Sequence, residues 1–111
     1  MTTEKTFLTL EEVKEKGYYY HEYKEKVYVY KKDGKEILVE NGKVLIDDAD
    51  WAEWHELGVY KYKKDGKWAL IENGKVLIDN VDYIDWYEPG VYEYTKDDKY
   101  FEVKDGITTE I

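Results

Sequence analysis

Lys64-Asp65-Gly66-Lys67-Trp68-Ala69-Leu70-Ile71-Glu72-Asn73-Gly74-Lys75-Val76-Leu77-Ile78-Asp79 places a turn signal on each side of a short apolar run. Asp-Gly and Asn-Gly are the dipeptides that best tolerate positive φ at both central positions of a two-residue hairpin turn. Residues 67–72 therefore read as a strand, and 75–79 as the strand that returns beside it. Upstream, Lys32-Asp33-Gly34-Lys35 and Glu40-Asn41-Gly42-Lys43-Val44-Leu45-Ile46-Asp47 repeat the same order. Residues 27–58 and 59–90 are identical at 21 of 32 aligned positions. A third, shorter copy covers 91–111, with Asp97-Asp98 and Asp105-Gly106 as its turns. A fixed period of this size signals stacked supersecondary units, each too small to bury its own apolar face.

The expected fold is all-β: an antiparallel meander of three tandem hairpin repeats with period 32, curled barrel-like or solenoid-like, in a single domain. Within each copy a strand of period-two pattern precedes the first turn, as in Val27-Tyr28-Val29-Tyr30. Residues 18–26 form a first strand region, and residues 1–17 read as a helical cap. Thr9 followed by Glu12 has capping-box spacing, Leu10 and Val13 lie at a helical interval, and Gly17 is placed to end a helix over 10–16. Phe7, Leu8 and Leu10 would plug one end of a sheet, as repeat stacks require.

Comparison of the copies points to Ile37, Val39, Val44, Ile46, Ile71, Val76, Ile78, Phe101 and Val103 as the interior. The opposite phase of the middle strand, Glu36, Leu38 and Glu40 in the first copy, is mixed in polarity. Two acidic-aromatic connectors, 47–58 and 79–90, join the copies. Asp47 and Asp48, and Asp79 and Asn80, could each cap a single helical turn there. Lys24, Glu25 and Lys26 would discourage pairing at the first exposed edge.

Seventeen Lys face 26 acidic residues, for a net charge of -9. Phosphate backbones are bound by surplus positive charge, so direct nucleic-acid binding is not expected. A basic protein partner would be drawn in instead. Cysteine is absent, so no disulfide or thiolate site exists. No apolar run is long enough to span a bilayer and the N-terminus has no apolar signal segment, which leads to the expectation of a soluble, cytoplasmic protein with no membrane partner. The chain contains no Arg, Ser or Gln, and charged residues make up 39% of it. An AT-rich genome or a designed, idealised sequence would each favour such a Lys- and Glu-rich alphabet.

Without Ser or Cys, and with only His21 and His55 as imidazole bases, nucleophilic catalysis is poorly supplied, and no enzyme activity is expected. Asp48 with Asp50, or Asp82 with Asp85, would act as an acid–base pair only if an apolar pocket raised one pKa. Asp47, Asp48 and Asp50 offer clustered oxygens, but no calcium loop has its glycine and closing Glu at the needed offsets. No metal or cofactor is expected. Aromatic residues are the functional lead: 13 Tyr and 4 Trp combine apolar rings with polar edges, which suits interfaces. The candidate binding residues are Trp51, Trp54, Tyr83, Trp86 and Tyr87, with Asp48, Asp50, Asp82 and Asp85 among them.

The block 63–78, followed by Asp82-Tyr83, resembles the WG repeat, a β-rich tandem repeat of bacterial proteins, over residues 27 to 108. The family's Trp-Gly pair is Trp68-Ala69 here, with Glu36-Ile37 and Tyr100-Phe101 in the flanking copies, so its glycine is absent throughout. The resemblance implies a repeat scaffold with a binding role and brings no catalytic motif. Together these readings lead to a non-enzymatic scaffold that shows an acidic-aromatic surface to a protein partner, or to a small inhibitor imitating nucleic-acid charge. The alternative is a carbohydrate-binding module that stacks sugars on exposed Trp and Tyr.

Overall fold

The structure is a computed structural model that describes residues 8–24, 26–56 and 58–111. Phe7, Glu25 and Leu57, which carried parts of the cap, edge and connector readings, lie outside the described residues. The described chain is mostly β, with one short helix and three four-stranded antiparallel sheets.

The first sheet contains β1 (Tyr20–Lys24), β2 (Val27–Lys32), β3 (Lys35–Glu40) and β4 (Lys43–Ala49). The second contains β5 (Trp51–Glu56), β6 (Val59–Lys64), β7 (Lys67–Glu72) and β8 (Lys75–Val81). The third contains β9 (Tyr83–Glu88), β10 (Val91–Lys96), β11 (Lys99–Lys104) and β12 (Ile107–Glu110). Strands lie in chain order within every sheet, and the sheets are not closed into a barrel. The turns supply the reason for the order. Asp33-Gly34, Asn41-Gly42, Asp65-Gly66, Asn73-Gly74 and Asp105-Gly106 all sit at positive φ, and so do Asp97 and Asp98, the backbone that a two-residue hairpin turn needs.

The connectors differ from the expected helical turns. Residues 47–49 and 79–81 extend β4 and β8, while 51–56 and 83–88 are the first strands of the following sheets. Asp48 and Asn80, at φ 55 and 56, bulge the strands instead of capping a helix. The pairings Glu36–Ala49 and Trp68–Val81 resume beyond the bulge. A sheet thus begins one strand earlier than the repeat frame of the sequence suggested.

The chain divides into two compact units, 1–52 and 53–111. In the first, α1 (Leu10–Glu15) covers one face of its sheet. Thr9 caps the helix: its Oγ1 accepts from the Glu12 N–H at 3.2 Å and donates to Glu12 Oε1 at 3.1 Å. Val13 is fully buried against Tyr28, Tyr30, Ile37 and Val39, with Leu8, Leu10 and Val44 packed beside them. Two phenols pin the segment before the helix. The Tyr28 hydroxyl donates to the Leu8 carbonyl at 2.5 Å, and the Leu8 N–H donates to the Tyr30 hydroxyl at 3.2 Å.

In the second unit, Leu70, Ile78 and Val81 from the second sheet meet Ile84, Tyr92 and Val103 from the third in one core. The Tyr92 hydroxyl donates to Glu72 Oε2 at 2.5 Å across that contact. Most of the expected interior is buried, but Val76 is 54% exposed, and Val44 and Phe101 are half-buried. β8 is an edge strand, and two register shifts against β7 accompany the outward turn of Val76. In the first unit α1 packs on the matching Val44. The mixed phase of the middle strand is also more buried than its polarity suggested, since Leu38 and Leu70 are both inaccessible.

Candidate functional site

β9 determines the site. Alternation along a strand places Tyr83, Asp85 and Tyr87 on one face and Ile84, Trp86 and Glu88 on the other. Ile84 is fully buried in the shared core and Trp86 packs beside it, so this second face is the inner one. Tyr83 and Tyr87 are 49% and 56% exposed. The register carries the outer row across the sheet: Asp85 stands opposite Glu93, Glu93 opposite Glu102, and Glu102 opposite Thr109. Thr95 lies between Tyr83 on one side and Tyr100 on the other. Lys104, opposite Ile107, is the cation at one end of this face.

Three carboxylates thus stand in line on adjacent strands, which are spaced about 4.8 Å apart. Like charges directly opposite one another oppose sheet formation. The Tyr87 hydroxyl donates to Glu93 Oε2 at 3.4 Å. Local desolvation and the Glu93 and Asp85 carboxylates hold the Tyr87 phenol above the ordinary tyrosine range. The face is an open, tyrosine-bordered sheet surface of negative potential.

The other expected site residues are distributed differently. Asp48, Asp50 and Trp51 belong to the first unit, where Trp51 is 52% exposed. Asp50 accepts from Lys35 Nζ at 2.6 Å, so it ties the β4–β5 junction to the first hairpin. In the second unit Asp82 does the same, accepting from Lys67 Nζ and, at 3.0 Å, from the Asp97 N–H. The hydrogen bond from Lys67 is the main reason that the Asp82 carboxyl lies below its usual range. Trp54 and Trp86 are half-buried. His55 stacks on Trp86, with centroids 5.6 Å apart and planes at 11°. Their His55 Nε2 and Trp86 Nε1 atoms are buried without a hydrogen-bond partner among the described residues. Burial first, then Lys61, lowers the His55 pKa.

Lys61 was not singled out by sequence reasoning. It is 7% exposed, although it lies on a strand rich in lysine. Its Nζ donates to the Ile84 carbonyl at 3.1 Å, lies 3.7 Å from Glu53 Oε1 and sits 4.8 Å above the Trp68 ring. Tyr83 meets Trp68 edge-on at 6.4 Å and has Lys61 Nζ 5.5 Å from its ring centre. The signal that could have found this lysine is its alignment with Val29 and Glu93, three unlike residues at one strand position. Glu93, Tyr100 and Glu102 were missed as well, because only the register lines Glu93 and Glu102 up with Asp85, and Tyr100 with Tyr83.

Comparisons with family models, curated proteins and solved structures found no match. The chemistry of the site therefore rests on its own geometry. Among the described residues no group of three or more His, Asp or Glu side chains could hold a metal ion. No described helix is long and apolar enough to cross a membrane.

Proposed function

We propose that this chain is a non-enzymatic scaffold of tandem β repeats with period 32, similar to the WG repeat, that offers the open face of its third sheet to a basic protein partner. The observation that carries the reading is the in-register row Asp85, Glu93 and Glu102, bordered by the exposed rings of Tyr87 and Tyr100. A lysine- or arginine-rich surface would relieve the repulsion along that row and place its cations beside tyrosine faces. The net charge of -9 would speed the encounter. The equal starts of β2, β6 and β10 at Val27, Val59 and Val91 support the repeat frame.

Binding of a polylysine-type peptide, measured by calorimetry across a salt series, tests the proposal. The affinity should fall steeply as salt rises, and Glu93→Gln with Glu102→Gln should flatten that slope. Salt-independent binding, or a slope unchanged by the double substitution, would count against it.

A further inference from the structure

The first unit contains a cleft of about 420 Å³ on the face of its sheet opposite α1. Its walls are Tyr19, His21, Tyr23 and Trp51, and Lys31 and Glu36 supply its charged groups. The size lies within the range of small-molecule sites, and aromatic rings share the lining with nearly as much polar surface as apolar. Tyr19 is 72% exposed, which leaves the ring accessible. The walls are held in place. The Lys31 N–H donates to the Tyr19 carbonyl at 2.9 Å, which fixes the strand that carries the first ring. His21 and Tyr23 lean on each other, with ring centres 4.3 Å apart and planes at 50°. Glu36 Oε1 accepts from the Ala52 N–H at 2.7 Å, so the carboxylate is already oriented at the edge of the cleft, next to Trp51.

The second copy explains why the space exists. At the offset of 32, Glu36 aligns with Trp68 and Trp51 with Tyr83. In the second unit the Trp68 indole is itself the packing partner, edge-on to Tyr83 and beneath Lys61. The shorter Glu36 leaves room where an indole stands in the neighbouring copy.

We infer that the Tyr19–Trp51 cleft binds a neutral carbohydrate, a site separate from the acidic face of the third sheet. Pyranose rings present C–H bonds that pack on Tyr and Trp faces, and hydroxyls that need both donors and acceptors. Glu36 accepts, Lys31 donates, and His21 can do either. One cation and one carboxylate in the same lining offset each other. A ligand of either net charge gains little there, while a neutral polyol uses both groups.

Titration of the full chain with cellotriose, maltotriose and chitotriose, followed by amide and indole NMR shifts, tests the assignment. At least one trisaccharide should give saturable shifts at Tyr19, His21, Tyr23 and Trp51. Tyr19→Ala, at an exposed ring, and Glu36→Trp, which installs the residue of the second copy, should each weaken binding at least tenfold. Tyr100→Ala should leave it unchanged. Absence of saturable shifts with all three sugars, or binding that survives Glu36→Trp and Tyr19→Ala, would overturn the assignment. So would a tenfold preference for glucuronate or glucosamine over glucose.

Discussion

Asp98 stands at φ +65 in the turn between β10 and β11, where the earlier copies have Gly34 and Gly66. A side chain in the left-handed region crowds its own carbonyl, and glycine avoids that crowding. Asp98→Gly should therefore stabilise the protein by roughly 0.5–1 kcal/mol, read as a rise in urea midpoint with an unchanged slope. Thr9 works in the opposite sense, because its hydroxyl satisfies the Glu12 N–H at the start of α1. Thr9→Ala should cost about 1 kcal/mol, while Thr9→Ser should cost little. Both residues were legible from the sequence, since capping spacing and turn dipeptides are local rules that need no knowledge of the tertiary structure.

At the scale of the element, β5 and β9 were the hardest to read. Their acidic residues and terminal glycines resemble a loop. The bulges at Asp48 and Asn80 also interrupt the period-two pattern just before them. β9 carries aromatics on both faces, Trp86 inward with Ile84 and Tyr83 and Tyr87 outward, so alternation of ring and polar residue could not tell the faces apart. For the same reason only part of the candidate site was visible. Trp51, Trp54, Tyr83, Trp86 and Tyr87 were all expected at a contact surface, yet Trp54 and Trp86 are half-buried, and the row that joins Asp85 to Glu93 and Glu102 depends on register. The burial of His55 beside Trp86 should give β5 a pH response. Burial lowers the His55 pKa in the folded state, so its contribution is present above the free value near 6.5 and lost as pH falls below it. The difference in melting temperature between the protein and His55→Phe should shift in favour of the variant as pH drops from 7 to 5. A constant difference would refute that account.

For the whole molecule, the buried phenols should limit stability at alkaline pH. Burial, then Tyr30 and Glu12, push Tyr28 from the usual value near 10 up to about 12. Tyr30 is raised mainly by burial. In the other unit, burial and the bond to Glu72 raise Tyr92. A phenol whose folded pKa is raised stabilises fully below pH 10 and loses that contribution as pH climbs toward the folded value. Melting temperature should decline above pH 10, and Tyr28→Phe should decline less steeply while losing about 1 kcal/mol at neutral pH. Lys61 is the corresponding case for charge. Lys61→Ala would remove a buried donor to the Ile84 carbonyl and the ammonium beside Glu53, at an expected cost of about 2 kcal/mol by chemical denaturation. The three-sheet division was legible only in part. The turns revealed the hairpins, but strand edges are decided by what each sheet packs against, and that information is spread over residues far apart in the chain.

Among the described residues, every strand of the three sheets pairs only with strands next to it in the chain. Little loop-closure entropy is then lost before contacts form, and hairpins of this kind close in about 1–10 μs. Refolding should accordingly be fast for a β protein, on a millisecond scale or quicker in stopped-flow dilution from urea, because assembly can nucleate at any of several tight turns and spread outward in both directions.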